Sequence, residues 1–357
     1  MMKHNYSAGP CILPQEVFKQ ASDALLNFDN LDLSLIEISH RSKNFVAVMD
    51  NAVQLVKDIL GVPAGYSVLF LQGGASLQFC MIPFNMMKLK DGKASYLVTG
   101  TWASNAQKEA ALFGESHIVA SSKDKNFSYI PKGYAVPEDS NYFHCTSNNT
   151  IFGTQMKAFP EVSVPMICDM SSDIFSRRID VSQFDMIYAG AQKNMGPAGA
   201  TLVIIKDELL GKSGRAIPSM LDYRTHIDKE SMYNTPPVFS VYTSMLTLEW
   251  LKKNRGVSWM EGVNNQKAEL LYSEIDRNPL FHGTAATEDR SNMNACFLLN
   301  DESGKDVFDA MWKEAGIVGI NGHRSVGGYR ASMYNALTVD SVQALVDVMR
   351  EFERKQG

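Results

Sequence analysis

Lys193 stands in a run of small residues, Ala189-Gly190-Ala191-Gln192-Lys193-Asn194-Met195-Gly196-Pro197-Ala198-Gly199, downstream of Asp169-Met170-Ser171-Ser172. A lysine among glycines and alanines does not sit on a solvated helix face. It is either an ordinary loop lysine or an amine held near other cations, with a lowered pKa, ready to form an imine. Asp169 ends an apolar run. It either caps the turn that follows or presents a carboxylate to a protonated ring nitrogen.

Gln72-Gly73-Gly74-Ala75-Ser76 follows another apolar run and opens a helical pattern. Two glycines allow a sharp turn, and the free amides of a helix N-terminus, with the Ser76 hydroxyl, form a cradle for a phosphate. A plain strand-to-helix turn would read the same way. Trp102 also opens a helix after a strand, where a flat ring can stack on an aromatic cofactor or simply pack in the core. Thr150 follows Asn148-Asn149 at a strand end, a pattern that turn chemistry alone explains. Two His-Arg pairs, His40-Arg41 and His323-Arg324, and the nearby Arg330 supply planar, forked donors for phosphate or carboxylate. Each arginine taken singly also fits a surface ion pair.

The elements that must position these groups alternate. A helix begins at Pro14, with Val17, Phe18, Ala21, Leu25 and Leu26 as its apolar residues. Another runs from Phe45 to Leu60, with one apolar stripe and Gly61 as its cap. Short apolar runs follow at residues 67–71, 95–99, 117–120, 142–146, 165–170, 185–189 and 200–205. Several are near-continuous, as strands are when helices cover both sheet faces. The pattern predicts an α/β fold with a large domain on a mainly parallel seven-stranded sheet, whose ligand site gathers at the strand carboxyl ends. From Val241 the pattern changes to helices at 242–253 and after Gly256, a strand at 293–299, a helix at 305–315, short apolar runs at 317–320 and 327–332, and a last helix at 339–354. That reads as a smaller α+β C-terminal domain. The expected division is a large domain over 15–255 and a small one over 256–357, joined by the N-terminal segment 1–14.

The formal net charge of −5 argues against nucleic acid as a partner but leaves room for a locally basic site. No apolar run is long enough for a membrane span, and no secretory signal is visible. Cys11, Cys80, Cys145, Cys168 and Cys296 are scattered and odd in number, and all but Cys11 sit in apolar runs, as core residues do. That argues for reduced thiols in a cytoplasmic protein and against disulfides or a zinc site, and no metal is expected.

Several segments together resemble one family: NYSAGP at 5–10, ISHR at 38–41, GAQKN at 190–194, GPAG at 196–199, NTPP at 234–237 and GHRSVGGYRASMYN at 322–335. They are similar to the phosphoserine aminotransferases, fold-type I enzymes of the class V pyridoxal-phosphate-dependent aminotransferases, and the likeness runs the length of the chain. It implies that pyridoxal 5'-phosphate is bound to Lys193 through a Schiff base, with Asp169 on the pyridine nitrogen, Trp102 on the ring face and Thr150 at the phenolic oxygen. It implies a phosphate site on Ala75, Ser76 and Gln192, completed by Asn234 and Thr235 of the other subunit of a homodimer. Arg330 would take the substrate α-carboxylate, and His40, Arg41, His323 and Arg324 the distal anion, with His40-Arg41 crossing the dimer interface. The implied substrates are phosphoserine, 3-phosphohydroxypyruvate, glutamate and 2-oxoglutarate, in serine biosynthesis, with a phosphorylated threonine analogue on the vitamin B6 route left open. Some relatives carry Gly-Arg where this chain has Ala75-Ser76, so one cation near the cofactor phosphate is missing here. The rival readings are an alanine–glyoxylate aminotransferase, which would not need two His-Arg pairs, and a cysteine desulfurase, which would need a reactive loop cysteine.

Overall fold

The computed structural model describes residues 3–356. Helix α1 (Gln15–Leu26) is followed by α2 (Lys43–Leu60), which starts at Ser42, whose hydroxyl accepts from the Phe45 amide, and ends at Gly61 with a left-handed φ of 63°. Strand β1 (Tyr66–Leu71) leads into α3 (Gly74–Met86), β2 (Lys93–Val98) into α4 (Thr101–Ala110), and β3 (Glu115–Ser121) follows. Strands β4 (Tyr142–Thr146), β5 (Met166–Asp169), β6 (Met186–Gly190) and β7 (Thr201–Lys206) complete one sheet of seven strands in the order β1-β7-β6-β5-β4-β2-β3.

The near-continuous apolar runs have their explanation in the two faces of this sheet. Leu202 and Ile204 of β7 pack with Phe70, Phe143, Ile187 and the apolar stripe of α2 on one side. Val203 and Ile205 pack with Tyr96, Ile167, Tyr188 and Phe79, Met81 and Ile82 of α3 on the other. Alternate side chains are thus buried on opposite faces, which removes the polar alternation of a half-exposed strand. The sheet is parallel except at β7, which is antiparallel to both β1 and β6. Only residues 191–200 join β6 to β7, too few for the crossover a parallel neighbour requires.

Beyond the sheet come α5 (Tyr223–Asp228), α6 (Val238–Lys253) and α7 (Gly256–Arg277). A smaller antiparallel sheet of β8 (Phe281–Gly283), β9 (Asn294–Leu299) and β10 (Tyr329–Ser332) packs with α7, α8 (Lys305–Glu314) and α9 (Val339–Gln356) around Phe297, Phe308, Tyr329 and Leu345. The molecule is therefore an α/β large domain carrying a smaller C-terminal α+β domain. Helix α7 belongs to both cores: Met260 lies in the first, and Ala268, Leu271 and Ile275 in the second. The N-terminal segment returns to the small domain, where His4–Asn5 pairs in parallel with Ile317–Val318.

Three details differ from the sequence reading. Pro14 is the residue before the first helix rather than its first residue. The buried stripe of α1 is Val17, Ala21 and Ala24, whereas Phe18, Leu25 and Leu26 face outward; the former three keep one helical face and the latter lie off it. Cys80 is only half-buried, unlike Cys145, Cys168 and Cys296. The short elements α5 and β8 carry too few residues for a periodic pattern to register.

The turn into α3 depends on Gly73, whose φ is 87° and whose added Cβ would come within 2.5 Å of the Leu77 side chain. Strain and overlap together should cost Gly73→Ala about 1–3 kcal/mol. Chemical denaturation checks this, and an unchanged midpoint would show that the turn has slack that this packing does not predict.

Candidate active site

Asp169 and Tyr188 are register partners on β5 and β6, so their side chains project from the same face at the carboxyl end of the sheet. Asp169 is buried, and its Oδ1 accepts from the Ser171 amide at 2.9 Å. Lys193 lies in the turn after β6. That turn is closed by Gly196 N–H to Ala191 C=O at 2.8 Å and Ala191 N–H to Ala200 C=O at 3.0 Å. Asn194, next in sequence and buried, donates to the Ser172 carbonyl at 3.2 Å, which ties the turn after β6 to the turn after β5. The N-terminal segment lies across the same turn: the Cys11 amide donates to Gln192 C=O at 3.2 Å, and the Cys11 thiol donates to Lys193 C=O.

Lys193 keeps some solvent-accessible surface, but its amine is embedded in protein, and the surroundings of the amine govern its charge. Burial pulls its pKa below the ordinary lysine value; the Asp169 carboxylate opposes this, and Arg330 reinforces it. Burial likewise pushes Asp169 above the usual carboxylate range, against the pull of Lys193 and the Ser171 hydrogen bonds. Each charge is costly alone and is stabilised by the other. Cys11 is no thiolate beside them, because burial pushes its thiol up to about 12.

Trp102 sits with its ring centroid 5.8 Å from Lys193 Nζ, and its indole Nε1 donates to Thr150 Oγ1 at 3.4 Å. Arg330 donates from Nη1 to the Thr150 carbonyl at 3.2 Å, while its buried Nε has no partner. The loop that carries Thr150 is fixed by buried amides: Asn149 Nδ2 donates to Thr99 Oγ1 and to Thr154 Oγ1, both at 3.1 Å. Gly100, before Trp102, lies so close that a Cβ would meet Asn149 Oδ1 at 2.6 Å. His323 lies near Arg330 and Arg324; burial first, then these two cations, hold its imidazole below its ordinary pKa. The structure thus brings Lys193, Asp169, Trp102, Thr150 and Arg330 to one place, with His323-Arg324 beside Arg330.

The remaining expected residues stand differently. Ala75 and Ser76 occupy the first turn of α3, where no side chain caps the helix, so their amides remain available. Gln192 precedes Lys193 in the same turn. Asn234 and Thr235 lie on a loop beside the turn before α3, with Gln72 Nε2 donating to the Thr235 carbonyl at 2.8 Å. His40 and Arg41 lie just before α2; Arg41 is exposed, and neither forms a hydrogen bond with Lys193, Asp169 or Arg330 within the chain. Among the described residues, no group of three or more His, Cys, Asp or Glu side chains is arranged to hold a metal, and no helix is long and apolar enough to cross a membrane.

Sequence reasoning missed the residues that hold the site from behind. Tyr188 meets buried His144 through its hydroxyl at 2.9 Å from Nε2, and burial pushes His144 down to about 3, so this imidazole is neutral. Asn194 accepts from the Asn335 amide at 3.0 Å. The signal available was a polar residue inside an otherwise apolar stretch, which turns and surfaces also produce.

Because Asp169 raises the pKa of Lys193, Asp169→Asn should lower it further. The pH at which Lys193 in the cofactor-free protein half-reacts with a small aromatic aldehyde should therefore fall, read by mass spectrometry of the reduced adduct. A midpoint that stays or rises would show that the two groups are not coupled.

Comparison with known proteins places this geometry in a family. The family model described as aminotransferase class-V matches residues 4–345. The phosphoserine aminotransferase of Flavobacterium psychrophilum is 67% identical over 356 residues, covering 99% of this chain and 100% of that protein. A solved phosphoserine aminotransferase from Bacillus circulans subsp. alkalophilus superposes with a TM-score of 0.96 at 43% identity, covering 100% of this chain and 99% of that one. The PLP-bound phosphoserine aminotransferase of Trichomonas vaginalis gives 0.91 at 35% identity, covering 98% and 100%. With likeness of this extent running through the whole chain, the chain belongs to the phosphoserine aminotransferase family of class-V aminotransferases.

Proposed function

We propose that this protein catalyses the reversible transamination between glutamate and 3-phosphohydroxypyruvate, giving 2-oxoglutarate and phosphoserine, with pyridoxal 5'-phosphate as cofactor in serine biosynthesis. The observation that carries this reading is the buried Lys193–Asp169 pair, faced by Trp102 and bordered by Arg330 and the His323-Arg324 pair. The donor set suits the cofactor: an amine of lowered pKa for its aldehyde, a buried carboxylate for its ring nitrogen, an indole face for its ring, and uncapped helix amides for its phosphate.

Pyridoxal phosphate, when bound, supplies the aldehyde that holds the substrate nitrogen and the ring that accepts the electron pair left as the Cα proton departs. The protein's part is to bind, orient and move that proton. Lys193 Nζ would take the proton from the substrate Cα and return it to the cofactor's former aldehyde carbon, on the other side of the substrate nitrogen; its lowered pKa favours the free amine that this needs. Asp169 keeps a proton on the ring nitrogen. Ala75, Ser76 and Gln192 hold the phosphate, and Thr150 donates toward the phenolic oxygen. Arg330 takes the α-carboxylate shared by both amino acids, which gives its unpartnered Nε a ligand. His323, Arg324, His40 and Arg41 take the distal phosphate or the glutamate side-chain carboxylate in turn, so one site serves both halves of a ping-pong cycle.

The protein acts as a homodimer in this reading. The support is that, among the described residues, the buried Nε2 of His40 has no hydrogen-bond partner; in the dimer, Asn234 and Thr235 would complete the partner's phosphate site. Residues 15–255 form the large domain and 256–357 the small one, with 1–14 as the joining segment. A cytoplasmic location is supported by five free cysteines.

Removing one charge-assisted contact should cost on the order of 10- to 100-fold in kcat/KM. Arg330→Ala should lose this with both phosphoserine and glutamate, whereas Arg324→Ala should raise KM for phosphoserine while sparing any residual activity on alanine. Steady-state kinetics on the three amino acids reads this out. Equal damage to alanine and phosphoserine by Arg324→Ala would remove the distal-anion role and favour an alanine–glyoxylate aminotransferase.

A further inference from the structure

Lys267 sits in the middle of α7 and is completely buried. Among the described residues it has no carboxylate partner; its Nζ donates to the backbone carbonyls of Met333 at 2.9 Å, Tyr334 at 2.9 Å and Leu337 at 3.1 Å. Burial pulls its pKa down to about 7, and the three carbonyls match the three donors of the charged form. An apolar residue of similar length could fill the same volume but would leave these carbonyls without their side-chain donor. What the ammonium adds is a fixed direction for three carbonyls of one short turn.

That turn connects the substrate-side strand β10 to α9, and it reaches the reactive lysine by two routes. Through Asn335, its amide donates to Asn194 Oδ1 at 3.0 Å, and its side chain donates to Phe175 C=O at 3.0 Å. Asn264, one turn before Lys267 on α7, donates to Asn335 Oδ1 at 3.0 Å and to Ser176 C=O at 2.9 Å. Asn194 adjoins Lys193 and is itself held to Ser172. Through Tyr334, whose hydroxyl donates to Ala8 C=O at 2.7 Å, the turn also fixes the N-terminal segment that lies on Gln192 and Lys193. Arg330 is on the strand that enters the turn.

We propose that Lys267 is a positioning residue for the transamination site: through the 333–337 turn and the Asn335–Asn194 contact it sets the placement of Lys193, and through β10 that of Arg330. This rests on the reading of Lys193 and Arg330 given above.

The test uses the cofactor-loaded protein with Lys267→Met, Asn335→Ala, the double variant, and Leu345→Ala, a core change in the same small domain away from the turn. Two quantities are read: the pH midpoint of the visible absorbance of the cofactor–Lys193 linkage without substrate, and KM and kcat for phosphoserine. Lys267→Met and Asn335→Ala are each expected to shift the midpoint and raise KM about tenfold. The double variant should be no worse than the more severe single one, because the two act in series. Leu345→Ala should lower thermal stability and leave both readouts unchanged. Wild-type midpoint and KM in Lys267→Met, or additive effects in the double variant, would overturn the proposal. Should Lys267→Met fail to fold, Asn335→Ala decides alone, with wild-type readouts overturning it. A shifted midpoint alongside no wild-type turnover of phosphoserine would keep the positioning role and reject the substrate instead.

Discussion

A lysine whose amine is embedded in protein and a buried aspartate, each charge destabilised by its own desolvation and stabilised by the other, are the constraint around which this molecule is organised. Alone, either residue would tend to lose its charge rather than carry it there. Their proximity demands that the ends of β5 and β6 stay in register, that the small-residue turn after β6 closes tightly, and that no other group compete for either charge. The Ser171 amide on Asp169, the Asn194–Ser172 contact and the Cys11 thiol on the Lys193 carbonyl meet those demands.

The polar framework behind the pair is bought with an unusually polar interior. Ser147, Asn148, Asn149, Asp173, Asn294 and Asn335 are all buried, and they bond to one another, to the Thr99 and Thr154 hydroxyls or to backbone. Partly satisfied, such a network would be worse than an apolar core; satisfied, it fixes geometry. Its location is telling, because it lies where the large domain, the small domain and the N-terminal segment meet. The turn that holds Lys193 and the turn that follows the strand of Arg330 are therefore joined directly by hydrogen bonds.

The sheet was legible because both of its faces are covered, which leaves near-continuous apolar runs whose ends mark the site. Asp169, Thr150, Trp102 and Lys193, which the structure brings together, stand at or within a few residues of the ends of these runs. The direction of β7 was less visible, since it follows from the length of the 191–200 connection rather than from composition. Helix α1 was misjudged in part: Phe18 and Leu25 are apolar but lie off its buried face. Lys267 was invisible, because a lysine on a long polar helix reads as solvated, and only the packing of the 333–337 turn against α7 reveals otherwise. His40-Arg41 had a clear chemical signature, yet a single chain gives the pair nothing to bind.

The central claim is that Lys193 moves the proton for a substrate carrying a distal phosphate. The most direct measurement mixes cofactor-loaded protein with phosphoserine, and separately with alanine, without any keto acid, and follows the visible band of the cofactor–lysine linkage. The account predicts rapid loss of the band with phosphoserine and little with alanine, and no turnover by Lys193→Ala. Loss of the band with alanine but not with phosphoserine, or undiminished turnover by Lys193→Ala, would contradict it.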